Sequence, residues 1–266
     1  MVEVLLSVMN IKSIEQFIEH IKKHNIISDV TAVNQVDNNN EIFQFIANNK
    51  RIVSFNEKGA SRSRNRLIEL ATGDICSFAD DDMKYVENYE KIIKEEYAKN
   101  KEADVIIFFV ENNNKAREKN KKIGNMKINK INCMRIRTSE ITIKKSAIER
   151  IKENELLFNE KFGPGGIFSK GEETVFIARL LNAGFKIYSV DKKIGEVDHK
   201  NSTWFEGYNE KFFYDQGAIM YYISNKFYHI LIFQYIIRKY YIYRKSISPK
   251  QAYKQMLKGV EDAKKI

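Results

Sequence analysis

Through the first 111 residues, short apolar runs alternate with amphipathic stretches, and this alternation narrows the possible folds more than any other feature of the chain. Val2 to Val8 reads as a short buried strand. Ser13 and Gln16 then have the spacing of a capping box at a helix start, and Ile14, Phe17, Ile18 and Ile21 recur along one helical stripe. The pattern repeats. Strands are expected over Val30 to Val36 and Arg51 to Phe55, with a helix from Ser61 to Ala71 that ends at Gly73, placed for a left-handed cap. A strand over Asp74 to Ala79, a helix from Val86 to Lys99 and a strand from Asp104 to Val110 follow. Such alternation predicts an α/β fold whose mixed, mainly parallel sheet is covered by helices on both faces. Ligands of these sheets gather beyond the carboxyl ends of the strands. Asp37 and Asp80 to Asp82 stand at two such ends, so they can share one crevice.

Beyond residue 111 the periodicity weakens. Asn112 to Lys130 is polar, basic and aperiodic, as expected of a long loop that can move. Thr138 to Ile143 has strand character, Glu173 to Asn182 reads as an amphipathic helix capped by Gly184, and Lys186 to Val190 as another strand. From Tyr208 the pattern is mostly helical. The expected division is a catalytic unit over 1–205, with halves of about 1–111 and 112–205, followed by a helical basic-aromatic extension over 206–266.

Composition excludes several classes. With 43% hydrophobic and 30% charged residues the chain is too apolar to be disordered. No apolar stretch approaches the ~20 residues that cross a bilayer, and the N-terminus lacks a basic lead-in, so a cytosolic protein without a cleaved signal is expected. Cys76 and Cys133 lie far apart, which suggests neither a disulfide framework nor a zinc pair. The net charge of +10 is segmental: residues 115–150 carry +9, residues 217–266 carry +8, and the remainder sums to −7. Basic runs of this kind face nucleic acid, anionic lipid or a phosphorylated substrate, or are simply solvated.

The run Phe78-Ala79-Asp80-Asp81-Asp82-Met83-Lys84-Tyr85 puts three carboxylates where a buried strand reaches the surface. A solvated turn or a helix N-cap accounts for them by one reading. By another, their mutual repulsion is offset by a divalent cation with its preference for hard oxygen ligands. Asp80 and Asp82 would share a face if the segment stays extended, with Asp81 turned away. Just upstream, Arg62, Arg64 and Arg66 crowd a helix start, where anions are attracted. Pairing with Glu57 and Glu69 is the alternative for any one of the three.

Together these pieces resemble the family 2 glycosyltransferases of GT-A fold. Gly59 to Tyr85 looks like the family's core signature: the Arg64-Asn65 pair in a helix, Ala71-Thr72-Gly73-Asp74 closing it, then a strand ending in the Asp-x-Asp motif. Ser7-Val8-Met9-Asn10 is similar to the first strand and its turn, and Val36-Asp37-Asn38-Asn39 to the second strand with its nucleotide-contacting acid. Phe162-Gly163-Pro164-Gly165-Gly166 with Gly171-Glu172-Glu173 resembles the acceptor loop and the catalytic Glu-Asp motif. The likeness covers roughly residues 2 to 200.

The resemblance implies roles residue by residue. Asp37, Arg64, Asp80, Asp81 and Met9 would contact the nucleotide, with Asp82, Asp80 and His199 on a Mn²⁺ or Mg²⁺ ion. Glu173 would be the general base, beside Glu172. Gly165, Gly166 and Trp204 would face the acceptor, although a lone Trp or His also serves simple packing or hydrogen bonding. The implied activity is inverting, metal-dependent transfer of one hexosyl or N-acetylhexosaminyl unit from a nucleotide sugar, UDP-linked by preference. The acceptor would be a saccharide or a polyprenyl-diphosphate-linked saccharide, in bacterial surface polysaccharide, capsule or glycolipid synthesis. The first turn lacks its usual Pro, and Glu173 replaces an Asp. The Gln-x-x-Arg-Trp motif of processive synthases is absent.

Residues 221–243 interleave nine Tyr and Phe with Ile and Leu and close on Arg238, Lys239, Arg244 and Lys245. Residues 217–250 therefore suit either a membrane surface, placing the protein peripherally on the inner face of the cell membrane, or a helix packed on the core. A nucleic-acid binder and a sugar-nucleotidyltransferase are the rival classes. No RNA- or DNA-binding signature and no glycine-rich phosphate loop with a following Lys supports either.

Overall fold

A computed structural model describes residues 1–37, 43–113, 123–197 and 207–266. In chain order the elements are β1 (Val2–Met9), α1 (Ile14–Lys23), β2 (Asp29–Gln35), β3 (Gln44–Ala47), β4 (Lys50–Phe55), α2 (Ala60–Leu70), β5 (Ile75–Asp80), β6 (Met83–Tyr85), α3 (Tyr89–Lys99) and β7 (Val105–Asn112). They continue with β8 (Met126–Lys127), β9 (Ile141–Lys144), α4 (Lys145–Glu153), α5 (Glu172–Asn182), β10 (Ile187–Val197), α6 (Glu210–Ile223), α7 (Tyr228–Tyr243) and α8 (Pro249–Ala263).

One sheet runs β3-β4-β2-β1-β5-β9-β7-β10-β6, with β8 beside β10. Its centre is the parallel block β4, β2, β1, β5, and β9 then inserts antiparallel between β5 and β7. Beyond it β10 runs parallel to β7. Side chains alternate faces along β1: Val4, Leu6 and Val8 pack with Phe17 and Ile21 of α1 and Tyr89, Ile93 and Tyr97 of α3. Leu5 points the other way, into a core shared with α2, α4, α5 and all three C-terminal helices. Both faces are thus buried, which is why these strands read as nearly continuous apolar runs.

Register levels the strand ends. Met9 lies opposite Gln35, and Ser7 opposite Asp80, so the residues that follow β1, β2 and β5 emerge along one rim. Ser13 caps α1 as the sequence predicts, though the Gln16 side chain accepts from the N–H of Lys12 rather than that of the cap itself.

The expectation for Gly73 needs correcting. Its φ is not positive, and α2 ends at Ala71 in extended backbone. Glycine is required there for space instead, because a Cβ would lie 2.5 Å from that of Glu3. The buried Glu3 carboxylate accepts from the N–H groups of Thr72 (2.7 Å) and Gly73 (2.6 Å) and from Thr31 Oγ1 (2.6 Å). Gly184 does take the left-handed cap, at φ 82°. Thr138–Glu140 is a 3-10 turn, so the strand predicted there begins later, at Ile141. Of the long loop expected over 112–130, residues 114–122 lie outside the described residues.

The C-terminal helices cross closely. A Cβ at Gly217 would fall 1.9 Å from the Met256 carbonyl oxygen, and one at Gly259 would fall 1.9 Å from that of Tyr214, so α6 and α8 meet backbone to backbone. Gly171, the residue before α5, packs as tightly, its hypothetical Cβ 2.3 Å from Ile219 Cδ1 of α6.

Candidate active site

The rim is built on buried polar side chains. Asn34 accepts from the Ile11 N–H at 3.0 Å and donates to the Ile11 carbonyl at 2.8 Å and to Ser54 Oγ at 2.9 Å, fixing the turn after β1 to β2 and β4. Asn10 takes a left-handed φ of 54° in that turn. Ser7 and Ser63 share a 2.6 Å hydrogen bond, and Gln35 Nε2 donates to the Gly59 carbonyl at 3.0 Å, so the start of α2 is docked on the ends of β1 and β2.

From this docked start α2 turns Arg64 inward. Its side chain is 7% exposed, and Nη2 donates to Asp80 Oδ1 at 3.2 Å while Nη1 donates to Glu172 Oε1 at 3.1 Å. One guanidinium thereby joins α2, the end of β5 and the start of α5. Burial opposes its charge, but Asp80, Glu173 and Glu172 outweigh burial and hold Arg64 firmly protonated. The neighbouring Asn65 works the same way on the backbone: it donates to the Phe158 carbonyl at 3.0 Å and accepts the Phe158 N–H at 2.8 Å. The other two arginines behave as surface residues, Arg62 with Glu160 and Arg66 with both Glu57 and Glu69.

The two adjacent glutamates differ sharply. Glu172 is buried and tied to Arg64. Glu173 is only partly covered, and burial together with repulsion from Glu172 raises its pKa well above the carboxylate range, against the pull of Arg64. Over Glu172 lies a tight turn. Gly163 and Gly165 adopt φ of 89° and 87°, Gly166 N donates to the Gly163 carbonyl at 2.9 Å, and the rings of Phe162 and Phe168 stack at 4.6 Å beneath. A Cβ at Gly163 would lie 2.9 Å from Glu172 Cδ, whereas Gly165 faces open space. Ser61 Oγ donates to the Phe162 carbonyl at 2.9 Å, and Ser169 Oγ to Asp215 at 2.6 Å, anchoring the segment to α2 on one side and α6 on the other.

The remaining expected site residues fall as follows. Met9 is 52% exposed at the end of β1. Asp37 follows β2, half exposed, in a 2.6 Å ion pair with Lys58. The acidic run does not stay extended: β5 ends at Asp80, and Asp81 and Asp82 form the turn into β6. Asp81 reaches solvent, yet crowding by its surroundings and repulsion from Asp82 and Asp80 raise its pKa. His199 and Trp204 lie outside the described residues, as do Asn38, Asn39 and Asp198. Sequence reading missed Asn34, Gln35 and the partners of Asn65, because their roles depend on residues brought together only by the fold.

A divalent cation at this rim would meet hard oxygen donors from Asp80 and Asp82, with Asp81 between them in sequence. Among the described residues no three His, Cys, Asp or Glu side chains form a metal cage. Two carboxylates on a turn suit an ion that takes most of its coordination from phosphate oxygens and water.

A family model described as glycosyl transferase family 2 matches residues 12–148, just over half of the chain. No curated relative matches. Among solved structures, S. aureus TarS 1–349 in complex with UDP-GlcNAc superposes with a TM-score of 0.65 at 13% identity, covering 99% of this chain and 80% of that one. The complex with UDP gives 0.63 at 14% identity, over 98% and 82%. A further TarS 1–349 structure gives 0.59 at 15% identity over 85% of this chain, which spans 66% of that one. At these identities the likeness speaks to the fold. That fold extends past the matched residues to include Glu172, Glu173 and the C-terminal helices.

Proposed function

The chain belongs to glycosyl transferase family 2, and from that premise we propose that it moves one sugar, with inversion, from a UDP-linked donor to a hydroxyl of a saccharide or lipid-linked saccharide. The UDP and UDP-GlcNAc complexes of TarS support the choice of nucleotide. The working division keeps 1–205 as the catalytic unit, with a donor half of about 1–111 and an acceptor half of about 112–205, and 206–266 as its extension. Bacterial surface polysaccharide or glycolipid synthesis is the corresponding setting.

One observation carries the reading: Arg64 joins the acid at the end of β5 to the acid that opens α5, bringing the rim of the sheet next to the helix start that bears the partly covered Glu173. Met9, Asp37, Asp80 and Asp81 would line the nucleotide, with Arg64 holding the acids in place beside it. Asp82 and Asp80 would hold Mn²⁺ or Mg²⁺, which when bound stabilises the charge that gathers on the departing diphosphate. His199 and Trp204, in the segment after β10, keep their proposed metal and acceptor roles.

Glu173 would accept the acceptor's hydroxyl proton as that oxygen attacks the anomeric carbon and the bond to the nucleoside diphosphate breaks. This requires a contact of about 2.6–3.2 Å in the reactive complex. A raised pKa makes Glu173 a better proton acceptor near neutral pH than an ordinary carboxylate. The pairing of Glu172 with Arg64 supports Glu173 as the base. Gly165 faces open space where an acceptor ring could approach, while Gly166, whose Cβ would lie 2.5 Å from the Lys161 carbonyl oxygen, lets the turn close tightly behind it.

The test measures thermal stabilisation by UDP with and without Mn²⁺, beside metal-dependent turnover of nucleotide sugars. Asp82→Ala is expected to lose the Mn²⁺-linked part of UDP binding. Glu173→Gln is expected to keep binding and lose about 10²–10⁴-fold in turnover. Full turnover in both variants overturns the assignment.

A further inference from the structure

Helix α7 is apolar on two separate faces. Ile232, Ile236 and Tyr243 form one, buried against the layer that includes α6 and α8. Ile230, Phe233, Ile237 and Tyr241 form the other, about a third of a helical turn away, and stand 64%, 63%, 57% and 78% exposed. Phe227, 60% exposed, extends this stripe at the helix start. Exposed apolar side chains scattered singly mean little, but a continuous stripe along 16 residues marks a surface that meets a partner.

Charge identifies the partner. From Gln216 to Val260 the sequence has no Asp or Glu and eight Lys or Arg. Arg238, Arg244 and Lys245 are exposed at the margins of the stripe, and the Arg244 guanidinium lies 5.1 Å from the centre of the Tyr241 ring. A second copy of this chain would press two cationic, acid-free faces together, and like charges would oppose that contact. An anionic lipid surface supplies both an apolar layer and negative charge. A helix of about 24 Å lies comfortably in the interface, and no helix among the described residues is long and apolar enough to cross a membrane.

We propose that α7 docks the protein on an anionic bilayer, with Ile230, Phe233, Ile237 and Tyr241 in the headgroup–acyl boundary and Arg238, Arg244 and Lys245 on the headgroups. The same helical layer braces the turn over Glu172: the Phe168 and Tyr214 rings lie 5.4 Å apart and Gly171 abuts Ile219. Docking would therefore bring the helical layer that carries this turn to the membrane surface.

The experiment is co-sedimentation of the full chain with phosphatidylcholine vesicles and with vesicles that also contain phosphatidylglycerol. It uses neither donor nor acceptor, so it stands or falls separately from the proposed transfer reaction. Binding is expected on the mixed vesicles, weak on phosphatidylcholine alone, and reduced by salt. Ile230→Ser/Phe233→Ser is expected to lower partition about tenfold or more, and each of Arg238→Gln and Lys245→Gln about fivefold, with melting curves of the free variants confirming that they fold. Three results overturn the proposal: equal partition onto both vesicle types, partition untouched by the stripe variants, or no vesicle binding, which a concentration-dependent dimer abolished by Ile230→Ser/Phe233→Ser would assign to a second copy instead.

Discussion

The rim of the sheet and helix α7 treat burial in opposite ways. At the rim, charge is buried and answered within the molecule: Arg64 sits between Asp80 and Glu172, and Glu3 at the other end of the sheet is surrounded by N–H and hydroxyl donors. On α7, apolar surface is left in water with no counterpart in the described fold. Both arrangements cost stability. The first is repaid by internal pairing, while the second gains only when something outside the chain arrives. Buried charge here points to chemistry, and exposed apolar surface points to a partner.

The largest expected effect breaks the first side of that comparison. Arg64→Leu leaves Glu172 buried without its counter-ion, and losing one member of a buried pair costs about 3–5 kcal/mol. Urea unfolding should report that loss, and Arg64→Leu/Glu172→Leu should recover much of it. If the double variant is no better than the single, the cluster is not held by mutual charge. Next is the buried face of α7. Ile232 is fully buried, and Ile232→Ala should cost about 2–4 kcal/mol in the same assay. A much smaller loss would mean that α7 is only loosely attached.

The two regions were not equally legible in the sequence. The strands β1 and β5 could be read because burial on both faces makes them nearly continuous apolar runs, and α1 and α5 because stripe and cap agree. β3 escaped notice as an edge strand whose burial merely alternates, β6 because three residues carry no period, and α4 because it follows β9 without a break. The acids of the rim announced themselves as Asp80-Asp81-Asp82, but the ion cluster did not, since Arg64 and Glu172 are separated by 108 residues. Gly73 illustrates the limit of local reasoning. Its position suited a helix cap, yet what excludes a side chain there is Glu3, brought from 70 residues away by the β1–β5 pairing. The aromatic tail was visible as composition, but which residues face inward on α7 depends on how α6, α7 and α8 pack.

A smaller effect is expected from pH. Glu173 faces Glu172, Arg64 and Asp80, and its pKa is higher folded than unfolded, so the native state binds its proton more tightly. That contribution is complete below the unfolded value of about 4.3 and is lost as pH rises through the folded value. Relative to wild type, Glu173→Gln should therefore gain stability between acid and mildly alkaline pH, by of order 1 kcal/mol. In the same direction, the acid limb of wild-type kcat/KM should lie above the ordinary glutamate range. A limb centred on that ordinary range would remove Glu173 as the titrating base.

The exposed face of α7 should give the smallest stability change of all, and that smallness is the sharpest test of the contrast. Phe233 adjoins Ile232 in sequence and is as apolar, but it is 63% exposed where Ile232 is fully buried. Phe233→Ser should alter unfolding free energy by no more than about 0.5 kcal/mol, as surface substitutions usually do. A loss approaching that of Ile232→Ala would show that Phe233 packs within the free protein in solution. The stripe would then be part of the core, and the difference between a rim satisfied from within and a helix awaiting a partner would vanish.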